Sequence, residues 1–201
     1  MKKMNRREFL TLTGAAVVAL SLAGCDDGPY APPAPPAPPA PPAPTTSKET
    51  ELLTAINKVW KEKFDAKEVL HEQLTLNQDA VGAIRGYGRV FEEAKETPHK
   101  LETSDLAIVL SEKDEHDKKL KKYGGEDSLA GVAGVSEPYG ENMVALEDEY
   151  SCADTAVRAF VAKLLTSNPS DSPKAEFISI YLPVVQGKTY MTAVVFRNKK
   201  A

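Results

Sequence analysis

Cysteine is nearly missing from this chain, whose 201 residues include only Cys25 and Cys152. That rules out a disulfide-stapled scaffold and a zinc site built from three or four thiolates. Histidine is as scarce: His71, His99 and His116 are all there are. Any chemistry that needs imidazole must draw on these three. Long hydrophobic runs are also missing. The apolar stretch 10–22 is rich in Ala, Gly and Ser, and it falls short of the roughly 20 residues that span about 30 Å of hydrocarbon. No Gly-rich phosphate loop follows a strand-like segment. Gly82, Gly86 and Gly88 lie inside a helical pattern, where they predict close helix packing. No Gly-x-Ser-x-Gly nucleophile elbow occurs. Positive charge is in deficit as well. Residues 1–25 hold four basic side chains and one acidic one, so the rest of the chain carries about −7 against −4 for the whole. That balance, without a basic aromatic-studded face, argues against nucleic acid as a partner.

What is present starts with an address. Lys2, Lys3, Arg6 and Arg7 precede the apolar run, and small residues follow it, as in an export signal. Asn5-Arg6-Arg7-Glu8-Phe9-Leu10 resembles a twin-arginine signal, which exports folded proteins. Leu22-Ala23-Gly24-Cys25 resembles a lipobox, which implies that Cys25 is diacylated after cleavage. Two acyl chains hold a protein on a membrane where one binds only marginally. Residues 31–44 repeat Ala and Pro. Such a run adopts polyproline II, and at about 3.1 Å per residue it is a spacer of roughly 40 Å. The expected organisation is a signal peptide over 1–24, lipidated Cys25 with its linker over 25–48, and one domain over 49–201. The expected location is the cell envelope, facing the periplasm or extracytoplasmic space. With Cys25 acylated, Cys152 reads as a small buried apolar residue.

The domain reads as mixed α and β. Leu52, Leu53, Ile56, Val59, Trp60 and Phe64 follow helical spacing, which predicts a helix over 49–64 capped by Ser47 or Thr50. A second helix is expected from the N-cap Asn77, with Ala80, Val81, Ile84, Tyr87 and Phe91 inward and Pro98 ending it. A third is expected from Ser104 or Asp105 to Lys122, closed by Gly124-Gly125. Its half 112–122 is nearly all charge, which predicts a solvated face. Residues 124–138 read as a Gly-rich loop and 139–146 as a strand. A fourth helix is expected over 154–165. Strands over 176–182 and 188–197, turning at Gln186-Gly187, close the chain. The fold class is α+β, with helices covering a small antiparallel sheet.

Several motifs resemble one superfamily: Leu53-Ile56-Asn57 in the first helix, Leu74-Thr75-Leu76-Asn77 before the second, and Gly140-Glu141-Asn142 opening the first strand. They resemble the CAP superfamily of cysteine-rich secretory, antigen 5 and pathogenesis-related proteins, also called SCP-like. The resemblance implies an α-β-α sandwich. It also implies a cleft with two histidines and acidic residues that in some members holds a divalent metal. Glu141 matches the acidic position and Asn142 follows it. The first histidine is His99 by its spacing from Asn77, or His116 by its spacing to Glu141, with His99 preferred because it directly follows the second helix. The second histidine position is Ser170, in Ser167-Asn168-Pro169-Ser170, and a hydroxyl is a weak metal ligand. His71 lies outside the motifs and reads as a surface residue.

Three functions follow as expectations. The first is a non-enzymatic CAP-like module that binds a small apolar ligand or an envelope protein at a cleft of Glu141, Asn142, His99 and Ser170. The second is a degenerate metal-dependent hydrolase using Glu141 and His99, with zinc held by His99 or His116 together with Glu141. The third is an envelope scaffold with no small ligand. No cofactor is expected for the first or third.

Overall fold

A computed structural model describes residues 47–135 and 142–199. Arg6, Arg7, Cys25, the linker, Gly140 and Glu141 lie outside the described residues. Helix α1 spans Lys48–Asp65, one residue longer at each end than its periodicity predicts. Ser47 caps it, its Oγ accepting from the Thr50 amide at 3.3 Å, and Glu49 and Glu51 occupy the first turn, where the helix dipole favours negative charge. Its inward seam is Leu52, Ile56, Val59 and Trp60. That seam packs with Val157, Phe160, Val161 and Leu164 of α4, Asp154–Ser167.

Both helices lie over one face of a four-stranded sheet. The strands are β1 (Thr75–Leu76), β3 (Leu129–Ala133), β5 (Phe177–Tyr181) and β8 (Thr192–Phe196), in spatial order β1-β5-β8-β3. Alternate residues of β8 divide between two cores. Ala193 and Val195 join the α1–α4 cluster. Val194 and Phe196 join Ala80, Val81, Ile84, Leu120 and Tyr123 on the other face. This two-sided burial explains why every residue of β8 is buried. The sheet is mixed rather than antiparallel as expected. β1 runs parallel to β5, and a parallel pairing needs a long crossover, supplied here by everything between residues 76 and 177.

The second face is covered by α2, Gly82–Ala94, paired with α3, Thr103–Leu120. Asn77 does cap the entry, its Oδ1 accepting from Asp79 N at 2.9 Å, but a short 3-10 turn comes before α2. Two helices can approach closely where small residues face each other. A Cβ on Gly86 would sit 2.9 Å from Val109 Cα, and one on Gly82 would lie 2.8 Å from His116 Cβ. Gly82 and Gly86 thus have the expected close-packing role between helices, whereas Gly88 packs against the Tyr181 ring and Pro183.

Two expectations fail here. The charged half of α3 is not a solvated face: Glu112, His116 and Leu120 are buried. They recur every four residues and so share the side that faces α2. Flanking charges such as Asp114, Glu115, Lys118 and Lys119 point to solvent. Residues 129–133 are not loop but β3, the strand paired antiparallel with β8. Gly131 marks close approach there: a Cβ would meet Leu164 O at 2.5 Å and Ser167 Oγ at 2.7 Å.

The expected strand over 139–146 is short in its described part. β4 is Met143–Val144, and Leu146 makes an isolated bridge to Val135. β4 pairs with β2, His99–Lys100, in a separate two-stranded ribbon. The closing hairpin continues past β5 and β8 as β6, Val184–Val185, and β7, Lys188–Thr189. Gln186 (φ 51°) and Gly187 (φ 77°) form its two-residue turn, a geometry that matches strand twist.

Candidate functional site

His99 is positioned by three elements. α2 ends at Ala94 with Lys95 in the left-handed region (φ 60°), its amide donating to Phe91 O at 2.8 Å. The chain then enters β2, where His99 is the register partner of Val144 and Lys100 that of Met143. One residue beyond β2, the Leu101 amide donates to Asn142 O at 2.8 Å. The strand carrying His99 therefore runs beside the end of the Gly140-Glu141-Asn142 motif. Asn142 itself adopts φ 62°.

The ring of His99 is 11% exposed and meets Phe91 edge-on, with centroids 6.4 Å apart. Its Nε2 lies 2.9 Å from Asp105 Oδ2 and its Nδ1 lies 3.2 Å from Glu96 Oε1. A neutral imidazole has one N–H and one lone pair, so it cannot donate to both carboxylates; an imidazolium can. Burial lowers the His99 pKa, but the hydrogen bonds to Asp105 and Glu96 outweigh it and hold the pKa above its ordinary value. Burial likewise raises Asp105, yet the Glu102 amide at 2.8 Å and His99 bring its pKa below the usual range. While it is an imidazolium, His99 has no lone pair to give a metal or to take up a substrate proton.

His116 is elsewhere. From Asp105, which His99 touches, to His116 the helix α3 rises roughly 16 Å at 1.5 Å per residue. The two histidines cannot share an ion. His116 is 4% exposed, its Nδ1 3.3 Å from Glu112 O and its Nε2 3.2 Å from Asp117 Oδ1. Ligand atoms of His116, Asp117 and Glu126 lie within 4.8 Å of one another. The Lys113 ammonium stands among the carboxylates, 2.7 Å from Asp117 Oδ2 and bonded to Glu126. It supplies the positive charge that the cluster calls for.

Ser170 follows α4, in the layer across the sheet from α2 and α3. It is exposed, and its Oγ donates to Asn168 Oδ1 at 2.9 Å. The structure does not bring it to His99. The described residues thus do not assemble the donor set of a two-histidine zinc site. His71 is on the surface as expected, its carbonyl taken by Trp60 Nε1 at 3.1 Å. Cys152 is exposed rather than buried. It sits just before α4, outside the inward stripe that starts at Val157, with its Sγ 3.4 Å from Tyr150 OH.

Three features had no sequence signal. Glu112 lies between two arginines: Arg85 Nε donates to its Oε2 at 2.8 Å and Arg89 Nη1 to its Oε1 at 3.1 Å. The partners come from a neighbouring helix, so spacing along α3 could not reveal them. A cavity of about 240 Å³ opens between β3 and α4, and Lys163 at its rim holds Asp148 at 2.8 Å and Glu147 at 3.0 Å. A second, of about 450 Å³, lies after α1 against Phe64, Lys67, Val69 and Leu70. Among the described residues no helix is long and apolar enough to cross a membrane. Comparison with protein-family models, with curated proteins and with solved structures returns no match for this chain.

Proposed function

We propose that the chain is a membrane-anchored, extracytoplasmic CAP-like module that is non-enzymatic and binds a small apolar ligand or a protein partner at the cell envelope. The observation that carries binding over catalysis is the state of His99. Both ring nitrogens face carboxylates, Asp105 at 2.9 Å and Glu96 at 3.2 Å, and while both contacts are held as hydrogen bonds the ring is not free to serve as a base or ligand. Helices on both faces of the mixed sheet, and the bond from Leu101 to Asn142, support a CAP-like α-β-α layout. The anchor rests on the sequence: the Arg6-Arg7 signal, Cys25 and the Ala/Pro spacer.

The experiment compares wild type with Cys25→Ala in the producing bacterium and extracts the purified wild-type chain for mass spectrometry. Wild type should take up labelled palmitate and fractionate with membranes, while Cys25→Ala should do neither. The extract should hold one apolar species in molar proportion, or cross-linking in cells should give one discrete envelope adduct. Membrane retention of Cys25→Ala would overturn the anchor. A zinc-induced rise in melting temperature that Glu141→Ala abolishes would overturn the non-enzymatic reading in favour of the metal-dependent one, because a ligand of the folded state raises its stability.

A further inference from the structure

We propose that Glu96, His99 and Asp105 form a pH-operated clasp, which fastens β2 to the first turn of α3 while His99 is an imidazolium and lets go of one carboxylate when it becomes neutral. The case is geometric. Two acceptors face the two ring nitrogens at 3.2 and 2.9 Å, and only the doubly protonated ring can donate to both. Loss of one proton leaves a lone pair against a carboxylate at one of the two contacts. Among the described residues, α2 presents the edge of Phe91 to the ring, and the register partner on β4 is Val144. Asp105 and Glu96 are, among the described residues, the charged groups that act on the ring. The charged neighbours in sequence, Lys100 and Glu102, are exposed, and the Glu102 amide is itself bonded to Asp105 Oδ2.

The clasp has something to control. β2 holds β4 through a two-residue ladder and the bond from the Leu101 amide to Asn142 O. A ribbon this short has little pairing of its own, so its order depends on what grips its strands. The clasp grips β2 from both sides, through Glu96 before it and Asp105 after it. At mildly acidic pH the ribbon is fastened, and as pH rises past the histidine's titration it loosens. This consequence holds whichever function the module has.

The test uses the full chain labelled for NMR. At about pH 5.5, below the ordinary histidine pKa of about 6.5, His99 should show two N–H protons, and it should titrate above that ordinary value. Asp105→Asn and Glu96→Gln should each lower that titration point. Glu96 is 62% exposed, so its variant should fold normally. Hydrogen exchange at the Leu101 amide should quicken several-fold beyond the intrinsic trend as pH passes the His99 titration, and the step should vanish in His99→Gln. A His99 that titrates at or below the ordinary value would overturn the clasp. So would Leu101 protection with the same pH course in wild type and His99→Gln.

Discussion

Replacing Gly86 by alanine sets two effects against each other. In the middle of an exposed helix the change would stabilise by about 1 kcal/mol, from propensity alone. Here the new Cβ would stand 2.9 Å from the Cα of Val109, which is backbone and cannot swing away. Overpacking of that kind costs about 1–3 kcal/mol, so the net sign should be destabilising. Urea unfolding of Gly86→Ala should show a lower midpoint than wild type; a higher one would show that α2 and α3 are not in close contact at this residue. Glu112 is a second single-residue case. Burial raises its pKa, but Arg85 and Arg89 outweigh burial and hold it below the usual range. The two arginines are a third or more exposed and can return to water when the carboxylate is removed. We therefore expect Glu112→Ala to cost about 1–3 kcal/mol, less than the 3–5 kcal/mol of a fully buried broken pair. Chemical denaturation at neutral pH measures this, and an unchanged midpoint would mean that the triad contributes nothing.

At the scale of elements, α1 and α4 were legible within two residues at each end because their apolar spacing is helical and their burial is one-sided. α3 was legible as a helix but not in its orientation. Charge patterning places Glu112 and His116 outward, and only contact with α2 turns them inward. β3 was not legible. Leu129-Ala130-Gly131-Val132-Ala133 has small residues where a strand pattern shows β-branched or aromatic ones, and its glycine reads as a turn. The glycine is there because α4 and the turn after it crowd the strand: Ser167 Oγ takes the Val132 amide at 3.0 Å and Ser172 Oγ donates to Ala130 O at 2.8 Å. Those two serines also blunt an otherwise open sheet edge. Gly131→Ala should therefore cost about 1–3 kcal/mol through overpacking. Gly187→Ala, at the hairpin turn with open space around it, should cost only the left-handed backbone penalty of about 1–2 kcal/mol. Measured together by thermal unfolding, Gly131→Ala should also raise the hydrogen exchange of β3 amides, while Gly187→Ala should leave β3 unaffected. Equal protection of β3 in both variants would count against crowding at that edge.

For the whole molecule, the sequence marks His99 as a candidate residue but not the groups that hold its ring, Asp105 and Glu96. Spacing alone left His99 and His116 open, and His99 is preferred because it directly follows the second helix; its strand runs alongside Asn142. The commitment of its ring was illegible, because Asp105 belongs to the next helix and Glu96 carries no mark that sets it apart from other surface glutamates. These commitments give a folding stability that depends on pH at both ends. His99 has its pKa raised on folding. Its contribution is complete below the ordinary value of about 6.5 and is lost as pH climbs through the folded value above it. Asp105 and Glu112 have theirs lowered. Their contributions are complete above the ordinary carboxylate values near 4 and are lost as pH falls through the lower folded values. Stability should therefore reach a plateau at mildly acidic pH, with an alkaline limb from His99 and an acid limb to which Asp105 and Glu112 contribute alongside Asp79 and Asp117. Urea midpoints taken from about pH 3 to 9 should trace that shape. His99→Gln should remove most of the limb above about pH 6.5 and trim the acid limb only by the part of the Asp105 shift that His99 supplies, whereas Glu112→Gln should shrink the acid limb and leave the alkaline one. A wild-type midpoint that holds steady or rises between neutral and alkaline pH would mean that His99 folds as the neutral ring, and the two-carboxylate grip would have to be abandoned.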